Sequence, residues 1–135
     1  MEKLLEEDIK GHIGIQKYKC TISWRKGTFY MDEPQSIEGQ DLGPDPYTAL
    51  LASLASCTLS TLRMYIDRKG WDIPDINISL NMSQETDSEL TTTITRSISF
   101  PIPIDEDIKK RLLNIAEKCP VSKILKNKIL INTSL

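Results

Sequence analysis

The chain has 135 residues, 39% apolar and 27% charged, the balance of a single globular domain long enough to bury a core without staples. A formal net charge of −2 leaves no field to draw in nucleic acid or an anionic membrane surface, and the lysines and arginines are scattered rather than gathered with aromatics into a patch. Three cysteines, an odd number, in the reducing, cytoplasmic setting expected for the chain argue against a disulfide framework.

The first 14 residues, MEKLLEEDIKGHIG, open with acids and lack the basic flank and apolar run of a secretory signal. They are expected to be a mobile N-terminal segment of one domain covering 1–135. Tyr18, Cys20, Ile22 and Trp24 then alternate with polar residues, which predicts a strand with one buried face. Arg25, Lys26 and Gly27 make a turn into a returning strand over 28–32. Residues 33–46, with Pro34, Gly39, Gly43, Pro44 and Pro46, read as a loop.

A long helix is predicted over 47–69. Asp45 is placed to cap its start, with Pro46 in the first turn. Arg68 and Lys69 suit its negative end, and Gly70 can take the left-handed conformation that closes it. At 1.5 Å per residue it runs about 34 Å. Its most apolar run, 49–62, is shorter than the roughly 20 residues of a bilayer span and is broken by Ser53, Ser56 and Ser60. Tyr47, Leu50, Leu51, Leu54, Thr58, Leu59, Leu62, Tyr65 and Ile66 cover more than half of its circumference, more than one small domain readily covers; a dimer interface is the economical explanation.

Ile76, Ile78, Leu80 and Met82 alternate in a further strand, and Leu90, Thr92, Ile94, Ile98 and Phe100 in its partner, with Arg96 interrupting the apolar register. Asp105, Glu106 and Asp107 open a second helix whose apolar stripe, Ile108, Leu112 and Ile115, continues to Cys119 and stops at Pro120. A final apolar strand is expected over 129–133. The order, strand pair, long helix, strand pair, helix, strand, is α+β with helices on antiparallel sheet.

The chemistry-bearing residues are few. His12 is the only histidine and no CxxC pair occurs, so no metal site, no bound cofactor and no Cys-His pair is expected within the chain. Cys20 reads as core in an alternating strand. Cys57 lies at the edge of the apolar arc of the long helix beside Ser53, Ser56 and Ser60, which suits either a small packing residue or a thiol lining a cleft. A mid-helix thiol becomes a thiolate at neutral pH only beside a cation; Arg25 in the strand turn and Arg96 in the apolar register are the candidates, each equally readable as a surface residue. Cys119, read at a helix C-terminus, would be a poor first nucleophile because the dipole there opposes a thiolate, although it could still attack a sulfenic acid.

Three stretches carry a family resemblance: GPDPYTALLASLASCTLSTLRMYIDRKGW at 43–71, LLNIAEKCPVSKIL at 112–125 and ILINTSL at 129–135. Together they resemble the OsmC/Ohr family, most closely its OsmC-like branch. The resemblance implies antiparallel sheets around a long central helix, an intertwined homodimer with sites at its interface, and thiol-dependent reduction of organic hydroperoxides. It further implies Cys57 as the peroxidatic thiol, Cys119 as the resolving thiol through an intramolecular disulfide, Arg25 as the activating arginine, and an external dithiol as reductant. Two positions depart from the family pattern. Tyr47 stands where the characterised peroxidases carry glutamate, and Ser122 where this branch often carries histidine. Non-enzymatic binding of an apolar small molecule in the dimer-interface cleft, or a redox-sensing thiol, are the competing readings.

Overall fold

The computed structural model describes residues 2–135. They form two compact units, one running to Leu50 and the other covering Leu51–Leu135, and the helix α1, Pro46–Lys69, belongs in part to each.

The N-terminal unit is a three-stranded antiparallel sheet in the order β1, Lys10–Ile13; β2, Cys20–Trp24; β3, Gly27–Met31. Arg25 and Lys26 form the two-residue turn between paired Trp24 and Gly27. The sequence missed β1, which falls inside the segment expected to be mobile. Its four residues, KGHI, are all exposed and carry no alternation, so only pairing with β2 defines it. The expected buried face of β2 also differs. Tyr18, Cys20 and Ile22 line an open apolar pocket of about 600 Å³ with Ile13, Met31 and Ile37, and Trp24 is exposed.

Asp32 organises the loop that follows. Its carboxylate is buried and accepts the backbone N–H groups of Tyr18 at 3.0 Å, Glu33 at 2.7 Å and Leu42 at 3.2 Å. Burial pushes this carboxyl up, and these backbone donors more than offset it, so its pKa lies below the ordinary 3.8.

Local chemistry sets both ends of α1. The Asp45 carboxylate accepts the Thr48 N–H at 3.4 Å and the Thr48 hydroxyl proton, which satisfies the first turn. At the other end Gly70 takes φ +71°, with Gly70 N–H on the Asp67 carbonyl at 3.1 Å and Trp71 N–H on the Ile66 carbonyl at 3.2 Å. This is a Schellman closure around a left-handed glycine. At 24 residues α1 is long and apolar enough in composition to cross a bilayer, so length does not distinguish it from a span. Four of its residues, Leu54, Thr58, Leu62 and Ile66, about one per turn, are buried in the protein.

In the C-terminal unit β4, Asn77–Thr86, and β5, Leu90–Ser99, form an antiparallel hairpin. Helix α2, Glu106–Glu117, opens with acids as expected. Leu62, Ile66, Ile73, Leu112 and Ala116 make the core, with Ile98, Phe100 and Ile108 packed against it. Two expectations fail near the end of the chain. Helix α2 stops at Glu117, and a separate helix α3, Pro120–Leu125, begins with Cys119 as its N-cap. Residues 129–133 form no strand within the chain, and Ile129, Leu130 and Ile131 are exposed; an apolar alternation becomes a strand only when a neighbour supplies the ladder.

Candidate functional site

The C-terminal unit gathers Cys57 and Thr58 from α1, Arg96 from β5, Glu117 from the end of α2, and Cys119, Val121 and Ser122 around the start of α3. Each is placed by ordinary packing rules. Thr58 follows Leu54 and precedes Leu62 on the buried stripe of α1, and Cys57 sits one residue aside, half-buried. Along β5 the inward positions alternate as Ile94, Arg96 and Ile98, so the pleat turns a guanidinium toward the core.

Arg96 is the hub. Its Nη1 donates to Thr58 Oγ1 at 2.8 Å and to Ser122 Oγ at 2.9 Å, and lies 3.8 Å from Cys119 Sγ. Its Nη2 is 3.6 Å from Glu117 Oε1, and Glu117 in turn pairs with Lys126. Lys126, then Arg96, hold the Glu117 carboxyl below its usual range. Thr58 donates its own proton to the Leu54 carbonyl at 2.7 Å and accepts from Arg96, so it steadies the guanidinium. Among the described residues no buried side-chain nitrogen or oxygen lacks a partner.

Cys119 is fully buried, with Ser122 Oγ 3.0 Å from its sulfur. Burial pushes its thiol up, and hydrogen bonds led by those from Ser122 pull it further down, to about 7. The expectation that a helix dipole would oppose a Cys119 thiolate therefore reverses. Cys119 precedes the first turn of α3 instead of ending α2, and Pro120 starts a helix here, at the position where its missing N–H costs nothing.

Cys57 Sγ accepts the Val121 backbone N–H at 3.5 Å, and the Cys57 thiol is among the groups that lower the Cys119 pKa. The two thiols are thus neighbours, and both are free. Arg25 lies in the N-terminal unit, in the β2–β3 turn, with its guanidinium 5.2 Å from the centre of the Trp24 ring. Tyr47 is exposed near the start of α1, and His12 is in β1. Cys20 donates to the Tyr18 carbonyl at 3.6 Å beside the N-terminal pocket. Among the described residues no group of His, Cys, Asp and Glu is clustered to hold a metal ion.

A cavity of about 490 Å³ adjoins the cluster, with Arg96 and Glu117 on its wall and Ile98, Phe100, Ile104 and Leu112 giving it an apolar lining. Sequence reasoning singled out Cys57, Cys119 and Ser122, and offered Arg96 as an alternative to Arg25. It missed Thr58, read only as part of an apolar arc, and Glu117; the signal for both was the unpaired charge of Arg96 in an apolar register, which requires buried acceptors.

A family model described as OsmC-like protein matches residues 39–134. The chain belongs to the OsmC-like family. Solved structures agree at the level of fold. An OsmC-like protein from Mycoplasma pneumoniae superposes with a TM-score of 0.70 at 22% identity, covering 93% of this chain and 89% of that one. An organic hydroperoxide resistance protein OsmC from Legionella pneumophila gives 0.68 at 17%, covering 93% and 92%. The organic hydroperoxide resistance protein OhrB of Bacillus subtilis gives 0.66 at 20%, covering 92% and 93%. A search of curated proteins finds no match. The α+β architecture, antiparallel sheets with one long helix, is that of the OsmC-like fold.

Proposed function

We propose that the protein is a thiol-dependent peroxidase that reduces organic hydroperoxides, with Cys57 attacking and Cys119 resolving. One observation carries the reading: two thiols from distant parts of the chain come together in a single polar cluster. The half-buried Cys57 is the thiol a substrate can reach, whereas Cys119 is sealed. The Cys57 thiolate attacks the peroxide, the O–O bond breaks, Cys57 becomes a sulfenic acid, and the departing alkoxide takes a proton to become the alcohol. Cys119 then attacks the sulfenic sulfur; the S–S bond forms, the S–O bond breaks, and hydroxide leaves to be protonated to water. An external dithiol returns both thiols by exchange.

The apolar cavity beside Arg96 favours organic hydroperoxides over hydrogen peroxide. Exposed Tyr47, Leu50 and Met64 on α1, with Ile129 to Ile131 near the C-terminus, support a homodimer that covers them. Three free thiols suit the reducing cytoplasm. The test is consumption of cumene hydroperoxide by the full chain with dithiothreitol. Cys57→Ser is expected to abolish it, and Cys119→Ser to stall after one equivalent with Cys57 oxidised. Undiminished consumption by Cys57→Ser overturns the reading.

The same cavity, of about 490 Å³, is of a size that holds a small apolar molecule and favours a second reading, binding without turnover. In that case Cys57→Ser leaves ligand binding intact and wild-type protein consumes no hydroperoxide.

A further inference from the structure

We infer that Arg96 serves the second thiol of the pair: with Ser122 it holds Cys119 as a buried thiolate, ready to close the disulfide and to leave again when the disulfide is reduced. The inference rests on the peroxidase reading for its chemical use, though not for its physical test.

The geometry is one-sided. Arg96 Nη1 reaches Cys119 Sγ at 3.8 Å while bridging Thr58 Oγ1 and Ser122 Oγ at 2.8 and 2.9 Å. Ser122 Oγ sits 3.0 Å from the same sulfur. Cys57 Sγ accepts a backbone N–H, from Val121. The Arg96 side chain is only 11% exposed, so its charge is largely desolvated and its field weakly screened. The groups around the sulfur come from every neighbouring element: Cys57 and Thr58 on α1, Arg96 on β5, Ser122 on α3. Glu117, at the end of α2, binds the far side of the guanidinium and is itself drawn to Lys126, so Arg96 is not neutralised by a buried carboxylate. Cys119 has no exposure, so its charge serves chemistry inside the protein, and the thiol beside it is Cys57.

Two consequences follow for the cycle. The Cys119 thiolate attacks the Cys57 sulfenic sulfur without first losing a proton, and hydroxide leaves Cys57 to become water with a proton from solvent. In the return half, an external dithiol thiolate attacks the more accessible Cys57 sulfur, the S–S bond breaks, and Cys119 departs as the stabilised thiolate. A lower leaving-group pKa speeds that step. The second thiol of the reductant then displaces Cys57, leaving the reductant oxidised.

The test uses the full-length Cys20→Ser/Cys57→Ser protein, in which Cys119 is the sole thiol, and titrates thiolate absorbance near ~240 nm against pH, a readout independent of peroxide chemistry. The expected midpoint is near 7. Adding Arg96→Met is expected to move it upward by at least half a pH unit, toward the ~8.5 of a free cysteine. Ser122→Ala, the milder substitution, removes the leading hydrogen bond to the sulfur, is expected to move it the same way by at least half a unit, and covers the case in which Arg96→Met does not fold. A midpoint at or above ~8.5 with Arg96 and Ser122 in place overturns the inference, as does a midpoint unmoved by both substitutions. Absence of peroxide consumption with the midpoint near 7 would instead refute the peroxidase reading alone.

Discussion

A thiol that ionises more readily in the folded protein than in the unfolded chain makes stability depend on pH, and Cys119 offers a clean case. Its folded pKa is about 7, whereas an unfolded cysteine titrates near ~8.5. Below the folded value both states carry the proton and the thiol contributes nothing. Between the two values the folded state sheds its proton first, so the unfolded state binds more protons and stability rises with pH. The linkage gives a fraction of a kcal/mol at pH 7 and about 2 kcal/mol at pH 9, where the gain levels off. Going down in pH, the contribution disappears as the folded pKa is crossed. The perturbation is Cys119→Ser, which keeps a small polar group and removes the titration. The assay is urea unfolding under dithiothreitol at pH 6, 7, 8 and 9, at one protein concentration, in a Trp24→Phe background so that Trp71 alone reports the C-terminal unit. The wild-type minus variant difference should grow by about 2 kcal/mol from pH 6 to pH 9. A flat difference, or one that falls with pH, would refute a folded-state thiolate at Cys119.

Two further substitutions probe the scaffold. Gly70→Ala should cost about 1–2 kcal/mol in urea unfolding, because a Cβ there meets open space and the penalty is therefore the left-handed backbone alone; no loss would contradict the Schellman closure of α1. Asp32→Asn removes a carboxylate that receives three backbone N–H groups and should speed amide exchange at Tyr18, Glu33 and Leu42. In the unaltered protein the same loosening should come with acid, beginning only as pH falls through the lowered Asp32 pKa, below 3.8; exchange that ignores both changes would contradict the pinning role.

The parts of the fold legible in the sequence were those set by local chemistry. Asp45, Pro46 and Gly70 marked the ends of α1 because caps and left-handed closures involve a few adjacent residues. Acids at 105–107 marked the start of α2 for the same reason. Arg96 stood out as a charge in an apolar register, but its partners come from three other elements, so the sequence could show only that something must satisfy it. Pro120 misled because proline ends one helix and begins another with equal ease; a break at Lys118 decides between them and turns the field at Cys119 around. Residues 10–13 and 129–133 failed in opposite senses: the first has no alternation yet pairs with β2, the second has the apolar character of a strand and no strand partner among the described residues.

The peroxidase reading stands or falls on intact mass and peptide mapping of the reduced protein after one equivalent of cumene hydroperoxide. The expected result is the loss of two thiols, a peptide linking Cys57 to Cys119, and Cys20 still free. Both thiols remaining free while the hydroperoxide persists would contradict it.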